Sequence, residues 1–249
     1  KFLGRTHTSA SALAALSQAQ GKFRSTSIDL IYSLPNQTAE DWRAELTRAL
    51  ALGADHLSLY ELSIEPGAAF FQAVKRKYWA PLDDERSADL YEITQELADA
   101  AGYPAYEISN HARAPEHQSA HNRIYWSSGD WAAVGPGAHG RLTVGAERWA
   151  VVAAEKPPEY LRQVTANGLG WVSVDALDPL AQARERVSMG LRVIEGFPVS
   201  DITELGLSLD ASRVTEFAAT GLLTKDNGRI ALTRSGRLMA DRIAAEISP

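Results

Sequence analysis

An alternation of short apolar strands with longer amphipathic helices constrains the fold of this chain more than any other feature of its sequence. The predicted strands span residues 27–34, 56–64 and 104–109, and the predicted helices span residues 38–52 and 83–101. Thr38, with Asp41 three residues later, is the predicted N-cap of the first helix, and Gly53 ends that helix. Strands that alternate with helices of this length form βαβ units, so we predict that the three strands are parallel in one sheet of an α/β fold.

The second half of the chain has a different pattern. Residues 111–155 are dense in His, Gly and Trp and lack a regular period, so we predict loops and short strands there. The later elements are predicted helices over residues 158–167 and 179–194, followed by helix, helix, hairpin and helix over residues 198–249. Asp226, Asn227 and Gly228 lie between two apolar runs and predict the hairpin turn. This order of elements is typical of a winged helix.

The composition excludes several classes of site. The 249 residues include no cysteine, which excludes disulfides, thiolate metal ligands and a cysteine nucleophile within them. The formal net charge of −6 argues against a general nucleic-acid-binding protein, and no apolar run approaches the ~18 residues of a membrane span. No secretory signal pattern is visible, so we expect the protein in the cytoplasm. Because the first residue is Lys1, we also expect the chain to be part of a longer protein.

Asp29 raises a physical question, because it interrupts the apolar run Ile28, Leu30, Ile31, Tyr32 of the first predicted strand. An unpaired carboxylate in a buried strand loses its hydration without compensation. One interpretation is a structural aspartate that pairs with an arginine or caps a backbone amide. The other is a carboxylate that accepts hydrogen bonds from two ligand hydroxyls, at the end of a parallel sheet where ligands bind. The residues alone leave both interpretations open.

Six motifs occur in order along the chain: LGRTH, IDLIYSLPNQT, LSLYELSIEPG, YEISNHARA, HNRIYW and VGPGAHGRL, which begin at residues 3, 28, 57, 106, 121 and 134. In this combination the chain resembles the radical S-adenosylmethionine proteins related to oxygen-independent coproporphyrinogen III oxidase. HNRIYW makes it similar to the haem-chaperone subgroup, which carries HNxxYW. The resemblance covers essentially the whole chain and corresponds to the C-terminal two thirds of such proteins.

The resemblance implies an incomplete parallel (β/α) barrel lacking its first strands over residues 1–155, followed by a small helical, winged-helix-like domain over residues 156–249. It also implies that the CxxxCxxC loop of the family, which ligates a [4Fe–4S] cluster, lies upstream of Lys1. Radical chemistry therefore requires residues outside this chain. DNA binding by the winged-helix-like part is disfavoured, because residues 198–220 hold one basic residue, Arg213, against four acidic ones. A lid or docking module over the barrel is the preferred interpretation.

By resemblance, three residues contact S-adenosylmethionine. Asp29 matches an aspartate that hydrogen-bonds the ribose hydroxyls, and Arg5 matches an arginine that holds the methionine carboxylate. Ser63 occupies a position whose backbone contacts the adenine. For Arg5 the alternative is an ordinary surface arginine at a helix N-terminus. The chain departs from the family at Ser33 and Asn36, where glycine is usual; asparagine tolerates the left-handed backbone, so we expect the turn to survive.

HNRIYW predicts a haem or porphyrin site, since imidazole ligates haem iron and aromatic rings pack against the macrocycle. We expect His121 to supply an iron ligand or a close porphyrin contact, with Asn122 positioning its imidazole. Tyr125 or Trp126 is expected to line the pocket, and His139 in GPGAHG to contact a ligand. The alternative is a His–Asn pair that satisfies a loop backbone, with both aromatic residues in the core. No metal other than this haem iron is expected to bind within the chain.

The leading hypothesis is the S-adenosylmethionine- and haem-binding part of a radical-type haem chaperone that delivers haem to respiratory proteins, including membrane-associated acceptors. Its cofactors would be S-adenosylmethionine, haem, and a [4Fe–4S] cluster bound outside this chain. The rival within the enzyme class is oxidative decarboxylation by an oxygen-independent coproporphyrinogen III oxidase, against which HNRIYW argues. A winged-helix DNA-binding regulator is the third hypothesis, and no nucleic-acid partner is expected.

Overall fold

The computed structural model describes residues 2–66 and 69–249, in two compact units, Lys1–Gln118 and Ser119–Pro249. The unit boundary precedes the predicted domain boundary at residue 155, and the division into functional domains stays a prediction. Pro66 and Gly67 predict the end of the second strand, and Gly67 lies outside the described residues. Within the described residues, no helix combines the length and the hydropathy needed to cross a bilayer.

The first unit contains four helices and a three-stranded sheet among its described residues. In chain order these are α1 (Ser9–Gln20), β1 (Ser27–Tyr32), α2 (Ala39–Leu50), β2 (His56–Glu61), α3 (Ala69–Lys75), α4 (Asp84–Ala100) and β3 (Asn110–Ala112). β1 and β2 are parallel, with Ser27 opposite His56 and Tyr32 opposite Glu61, which confirms the first predicted βαβ unit. Within the described part of the chain β1 pairs with β2 alone, so its other edge is open.

The core of this unit lies between the sheet and helices α2 and α4. Leu57 and Leu59 of β2 pack there with Trp42 and Leu46 of α2. The buried Trp42 indole donates a hydrogen bond to Thr94 Oγ1 at 2.8 Å, which satisfies its N–H away from water. Because alternate residues of a strand point to opposite faces, the other face of the sheet carries the remaining, more polar residues.

The third predicted strand is wrong in place and in direction. Instead of a parallel strand over residues 104–109, β3 begins at Asn110 and runs antiparallel to β2. The buried carboxylate of Glu107 accepts hydrogen bonds from the backbone N–H of Ser109 and from the side-chain amide of Asn110. Tyr106 N–H also donates to the carbonyl of Asn110 at 3.1 Å, so the chain reverses before it reaches β2.

The bounds of helix α1 were not predicted, and a helix start in this region was named only in the alternative given for Arg5. Thr8 caps the helix in a capping box with Ser11. None of its residues is buried. A helix that buries no face has no need of an apolar stripe, and the periodic signal is therefore missing.

The second unit begins with a helix and an antiparallel sheet. In chain order its first elements are α5 (Ala120–Trp126), β4 (His139–Val144), β5 (Glu147–Ala153), α6 (Pro157–Asn167), β6 (Trp171–Ala176) and α7 (Pro179–Gly190). The strands pair in the order β4-β5-β6. The short strands predicted within residues 111–155 are confirmed, but α5 and β6 were not predicted. α5 has two turns, which is too short for a periodic pattern to be read.

The remaining elements follow the predicted order of helix, helix, hairpin and helix, except that a two-residue strand precedes them and two helices follow the hairpin. They are β7 (Phe197–Pro198), α8 (Ser200–Thr203), α9 (Ala211–Ala219), β8 (Leu223–Asp226), β9 (Arg229–Leu232), α10 (Arg234–Arg237) and α11 (Ala240–Ile247). Asn227 and Gly228 have φ angles of 48° and 72°, as the two-residue turn of a β-hairpin requires. Ile202, Phe217 and Ile243 are buried and belong to the core of this part.

Candidate functional site

A row of polar residues crosses the sheet of the first unit on the face away from α2 and α4. Asp29 of β1 lies opposite Ser58 of β2, and Ser58 lies opposite Asn110 of β3. Directly opposed residues of neighbouring strands share a face, so these three side chains form one line. Asn110 is buried, and its Oδ1 has no hydrogen-bond partner among the described residues.

Asp29 is exposed, contrary to the expectation of a buried strand. Its carboxylate makes no hydrogen bond or ion pair with a described residue, so no described residue of the first unit uses its acceptor capacity. Among the described residues β1 is an edge strand, and one of its sides has no neighbouring strand there. The carboxylate therefore keeps its hydration and carries no desolvation penalty.

A parallel sheet with strands over residues 27–34, 56–64 and 104–109 predicts that Asp29, Ser63 and Asn110 lie near one end of it, and this holds only in part. Asp29 and Asn110 lie in the middle of the sheet, level with Ser58. Asp29 is three residues, or about 10 Å, before the carboxyl end of β1, whereas Ser63 follows the end of β2 and is exposed. Arg5 is exposed in the segment before α1, and the described contacts do not join it to Asp29 or Ser63.

His56 forms a buried relay beside Asp29 that the sequence reasoning missed. Its Nδ1 lies 2.8 Å from Ser27 Oγ, and its Nε2 lies 2.9 Å from the Tyr106 hydroxyl. Burial lowers the pKa of His56 below its ordinary value, although the charge of Asp29 acts in the opposite direction. The histidine is visible in the sequence, but the pairing of Ser27 with His56 depends on the strand register.

The turn after β1 keeps the predicted left-handed conformations. Ser33 has a φ angle of 57° and Asn36 has one of 62°, so both residues adopt the left-handed backbone. The Gln37 side chain accepts a hydrogen bond from Leu34 N–H at 3.2 Å, and Thr38 then caps α2 as predicted. The expected turn is therefore formed with serine and asparagine at these two positions.

In the second unit, α5 and the start of β4 bring together four residues that we call the aromatic strip: His121, Tyr125, Trp131 and His139. His121 and Tyr125 are four residues apart on α5, and their ring centroids are 4.3 Å apart at 65°. The Tyr125 and Trp131 centroids are 4.5 Å apart at 72°. Trp131 Nε1 donates a hydrogen bond to the His139 carbonyl at 3.0 Å. Both histidines are exposed, and both aromatic residues are half-buried.

Asn122 and Trp126 lie on another side of α5. Neighbouring residues of a helix point about 100° apart, so Tyr125 is better placed than Asn122 to contact the His121 ring. Trp126 is half-buried, and the Cζ atom of Arg192 lies 5.5 Å from its ring centroid. Ser119 caps the helix by accepting from Asn122 N–H, so the backbone needs no His–Asn pair.

Paired arginines adjoin the aromatic strip. Arg141 forms an ion pair with Glu185 at 2.6 Å, and its Cζ lies 5.6 Å from the Trp131 ring centroid. Arg148 bridges Glu185 and Asp130 at 3.6 and 3.3 Å. The backbone N–H of Thr143 holds the pKa of Asp130 below its ordinary value. Arg141 and Arg148 are thus engaged in ion pairs. The exposed imidazoles of His121 and His139 are the groups of the aromatic strip that are suited to bind a metal.

The residues present fit haem better than a protein-only metal site. No group of three or more His, Asp or Glu side chains within the described ranges is arranged to hold a metal ion. An iron already held by a macrocycle needs only one or two axial ligands, which exposed imidazoles can supply. Half-buried aromatic rings beside them suit a flat, apolar ligand.

The chain is similar in sequence and in structure to several known proteins. Residues 177–239 match the model of the HemN C-terminal domain. The chain is 34% identical to the radical S-adenosyl methionine domain-containing protein 1 of Dictyostelium discoideum, over 99% of this chain and 62% of that protein. It is 34% identical to the heme chaperone HemW of Mycobacterium tuberculosis, over 97% of this chain and 60% of that protein.

Further matches agree with these. HemW of Bacillus subtilis is 30% identical over 97% of this chain and 64% of its own length. The solved coproporphyrinogen III oxidase HemN of Escherichia coli, a radical SAM enzyme, has a TM-score of 0.75 and 22% identity, and the match covers 97% of this chain and 59% of that one. The first-named relatives are thus matched over about 60% of their length. The α/β fold is that of the HemN structure, and the predicted resemblance is confirmed.

Proposed function

Because the chain is a homologue of the HemW haem chaperones and of related radical S-adenosylmethionine proteins, we propose that it is the S-adenosylmethionine- and haem-binding part of a haem chaperone. It hands haem to a respiratory acceptor protein and acts in the cytoplasm. In this proposal the first unit contributes to an incomplete parallel barrel, and the C-terminal helices and hairpin form a winged-helix-like module. Residues 198–220 of that module hold one basic residue against four acidic ones, which supports a docking role over DNA binding.

The aromatic strip is the observation that supports haem binding most directly. The His121 imidazole is exposed on a capped helix and lies against Tyr125, so its ring orientation is restricted without being buried. We assign His121 as an iron ligand or close porphyrin contact. Tyr125 and Trp126 offer apolar area, and His139 lies at the other end of the strip. Asn122 stays a candidate for a weaker polar contact.

Asp29 supports the S-adenosylmethionine half of the proposal. A carboxylate without a partner, in line with the Ser58 hydroxyl and the orphaned Asn110 Oδ1, suits a ligand that offers two hydroxyl donors. Arg5 would hold the methionine carboxylate, and the backbone at Ser63 would contact the adenine. Since the 249 residues contain no cysteine, cluster thiolates must come from outside them. When bound, a [4Fe–4S] cluster supplies the electron that breaks a carbon–sulfur bond of S-adenosylmethionine.

Coproporphyrinogen III oxidation is the rival function. The solved oxidase has the same fold, but at 22% identity the comparison is evidence for the fold alone. HNRIYW, which places His121 and Tyr125 on one helical face, favours the chaperone. A turnover assay with coproporphyrinogen III on the complete protein separates the two, because the chaperone releases no decarboxylated product.

Titration of haemin, followed by the Soret band, tests the haem assignment. We expect saturable binding to the wild-type chain and a changed Soret position or shape for His121→Ala. Ring contacts contribute apolar area that the substitution leaves in place, so the affinity should fall less than the spectrum changes. The same titration of His139→Ala tests the second histidine of the aromatic strip.

His7→Ala is the matched control, since His7 is an exposed histidine of the first unit. It should leave the spectrum unchanged. Identical Soret bands for wild type and His121→Ala would exclude His121 as a ligand and leave His139 and His117 for the same test. His111 is fully buried and therefore a poor candidate.

A further inference from the structure

Trp131 contacts two elements of the second unit, α5 and β4. Its backbone pairs with Arg141 of β4 through two hydrogen bonds, Trp131 N–H to the Arg141 carbonyl at 2.8 Å and the reverse at 2.9 Å. Its indole N–H binds the His139 carbonyl, and its ring meets Tyr125 edge to face. Contacts from one residue thus reach both α5 and the first residue of β4.

The approach of this segment to β4 is close. A Cβ atom added at Gly140 would lie 2.7 Å from Ala133 N and 2.9 Å from the Trp131 carbonyl oxygen, distances that real side chains do not adopt. Gly140 is therefore the residue that lets the Trp131 segment lie against β4. The hydrogen bonds to Arg141 and the close approach at Gly140 hold the backbone of Trp131. Its indole therefore has little freedom to move away from the His139 carbonyl.

Resting on the haem binding proposed above, we infer that Trp131 is the positioning residue that makes His121 and His139 parts of one ligand site. Through its edge-to-face contact it restricts the Tyr125 ring, against which the His121 imidazole packs. Through the His139 carbonyl it fixes the start of β4 relative to that helix. The haem then meets imidazoles from two elements whose spacing Trp131 sets.

A second tryptophan provides a matched comparison. Trp171 Nε1 donates to the Ala133 carbonyl at 3.0 Å, the same kind of bond at the same length as that of Trp131. Trp171 belongs to β6, and no described ring contact joins it to α5. Loss of either indole N–H should cost similar stability, whereas only the Trp131 change reaches the two histidines.

The test is haemin titration of wild type, Trp131→Phe, Trp131→Ala and Trp171→Phe, with urea unfolding of each. Trp131→Phe keeps a ring against Tyr125 and loses the bond to His139, so we expect about threefold weaker binding; Trp131→Ala loses both, so we expect about tenfold or more and a changed Soret shape. Trp171→Phe should match the stability loss of Trp131→Phe and keep the wild-type spectrum.

Two outcomes count against this inference specifically. One is a wild-type spectrum and affinity in both Trp131 variants while wild type binds haemin normally. The other is an equal spectral change in Trp171→Phe, which would mark a general loss of structure. Absence of saturable haemin binding by the wild-type chain would instead reject the proposed function on which the inference rests.

Discussion

His56 illustrates how a single buried side chain acquires chemistry from its neighbours. Both ring nitrogens contact hydroxyls, those of Ser27 and Tyr106, so a neutral imidazole satisfies the geometry with one nitrogen donating and the other accepting. Burial opposes the positive charge and lowers the pKa, and Asp29 offsets part of that effect. The relay therefore places a neutral, oriented group beside the proposed ribose-binding carboxylate.

The lowered pKa of His56 predicts a pH dependence of stability. The unfolded chain binds a proton at about pH 6.5, its ordinary value, and the folded chain binds it only at lower pH. The folded state is thus fully favoured above about pH 6.5 and loses stability as the pH falls from there toward the folded pKa. We expect the wild-type free energy of unfolding to fall over this range, and the fall to be smaller in His56→Asn.

Chemical unfolding at several pH values between about 7.5 and 5.5 measures this difference. His117→Asn is the control, since His117 is a partly exposed histidine of the same unit. Parallel pH profiles for wild type and His56→Asn would contradict the role given to burial of this imidazole.

At the scale of elements, the predictions that rest on local turn residues were confirmed, whereas the prediction that depends on a tertiary chain reversal was wrong. The Asn227–Gly228 hairpin and the Thr38 capping box formed as predicted, because each is decided by residues within four positions of one another. β3 was predicted in the wrong direction, because its direction depends on the buried hydrogen bonds of Glu107. α5 was missed for lack of length.

Gly228 permits a prediction about the hairpin. Its φ angle is 72°, and no atom would lie within 4 Å of an added Cβ, so substitution meets a backbone penalty without a steric clash. Gly228→Ala should therefore cost about 1–2 kcal/mol of unfolding free energy. Asn227→Gly, the control, keeps the turn accessible and should change stability by less. A Gly228→Ala protein as stable as wild type in urea unfolding would contradict the turn geometry.

At the scale of the whole molecule, the absence of cysteine limits what these residues do alone. The proposed contacts to S-adenosylmethionine are spread over Arg5, Asp29 and Ser63, and a cluster that anchors the methionine end needs thiolates from elsewhere. Ligand binding by the 249-residue chain should accordingly be weak, and binding by the complete, cluster-loaded protein should be stronger.

Calorimetric titration of S-adenosylmethionine tests this division of roles. In the complete protein, Asp29→Ala removes charged hydrogen bonds worth roughly 1.5–3 kcal/mol each, so the affinity should drop about tenfold or more. Asp175→Ala, at an exposed aspartate of β6, is the control and should bind as wild type. Unchanged affinity of Asp29→Ala would reject the ribose role, and tight binding by the 249-residue chain would reject the requirement for the cluster.

The sequence by itself determined the βαβ unit, helix α2 with its Thr38 cap, the hairpin and the family resemblance, because these depend on local periodicity, turn residues and motif order. The same information named His121, Tyr125 and His139 as candidates. Only the tertiary structure decided that Asp29 is exposed and that Trp131 contacts both the Tyr125 ring and the His139 carbonyl. Exposure depends on whether a strand has a neighbour, and contacts between α5 and β4 depend on how the chain packs. Neither is encoded within a window of a few residues.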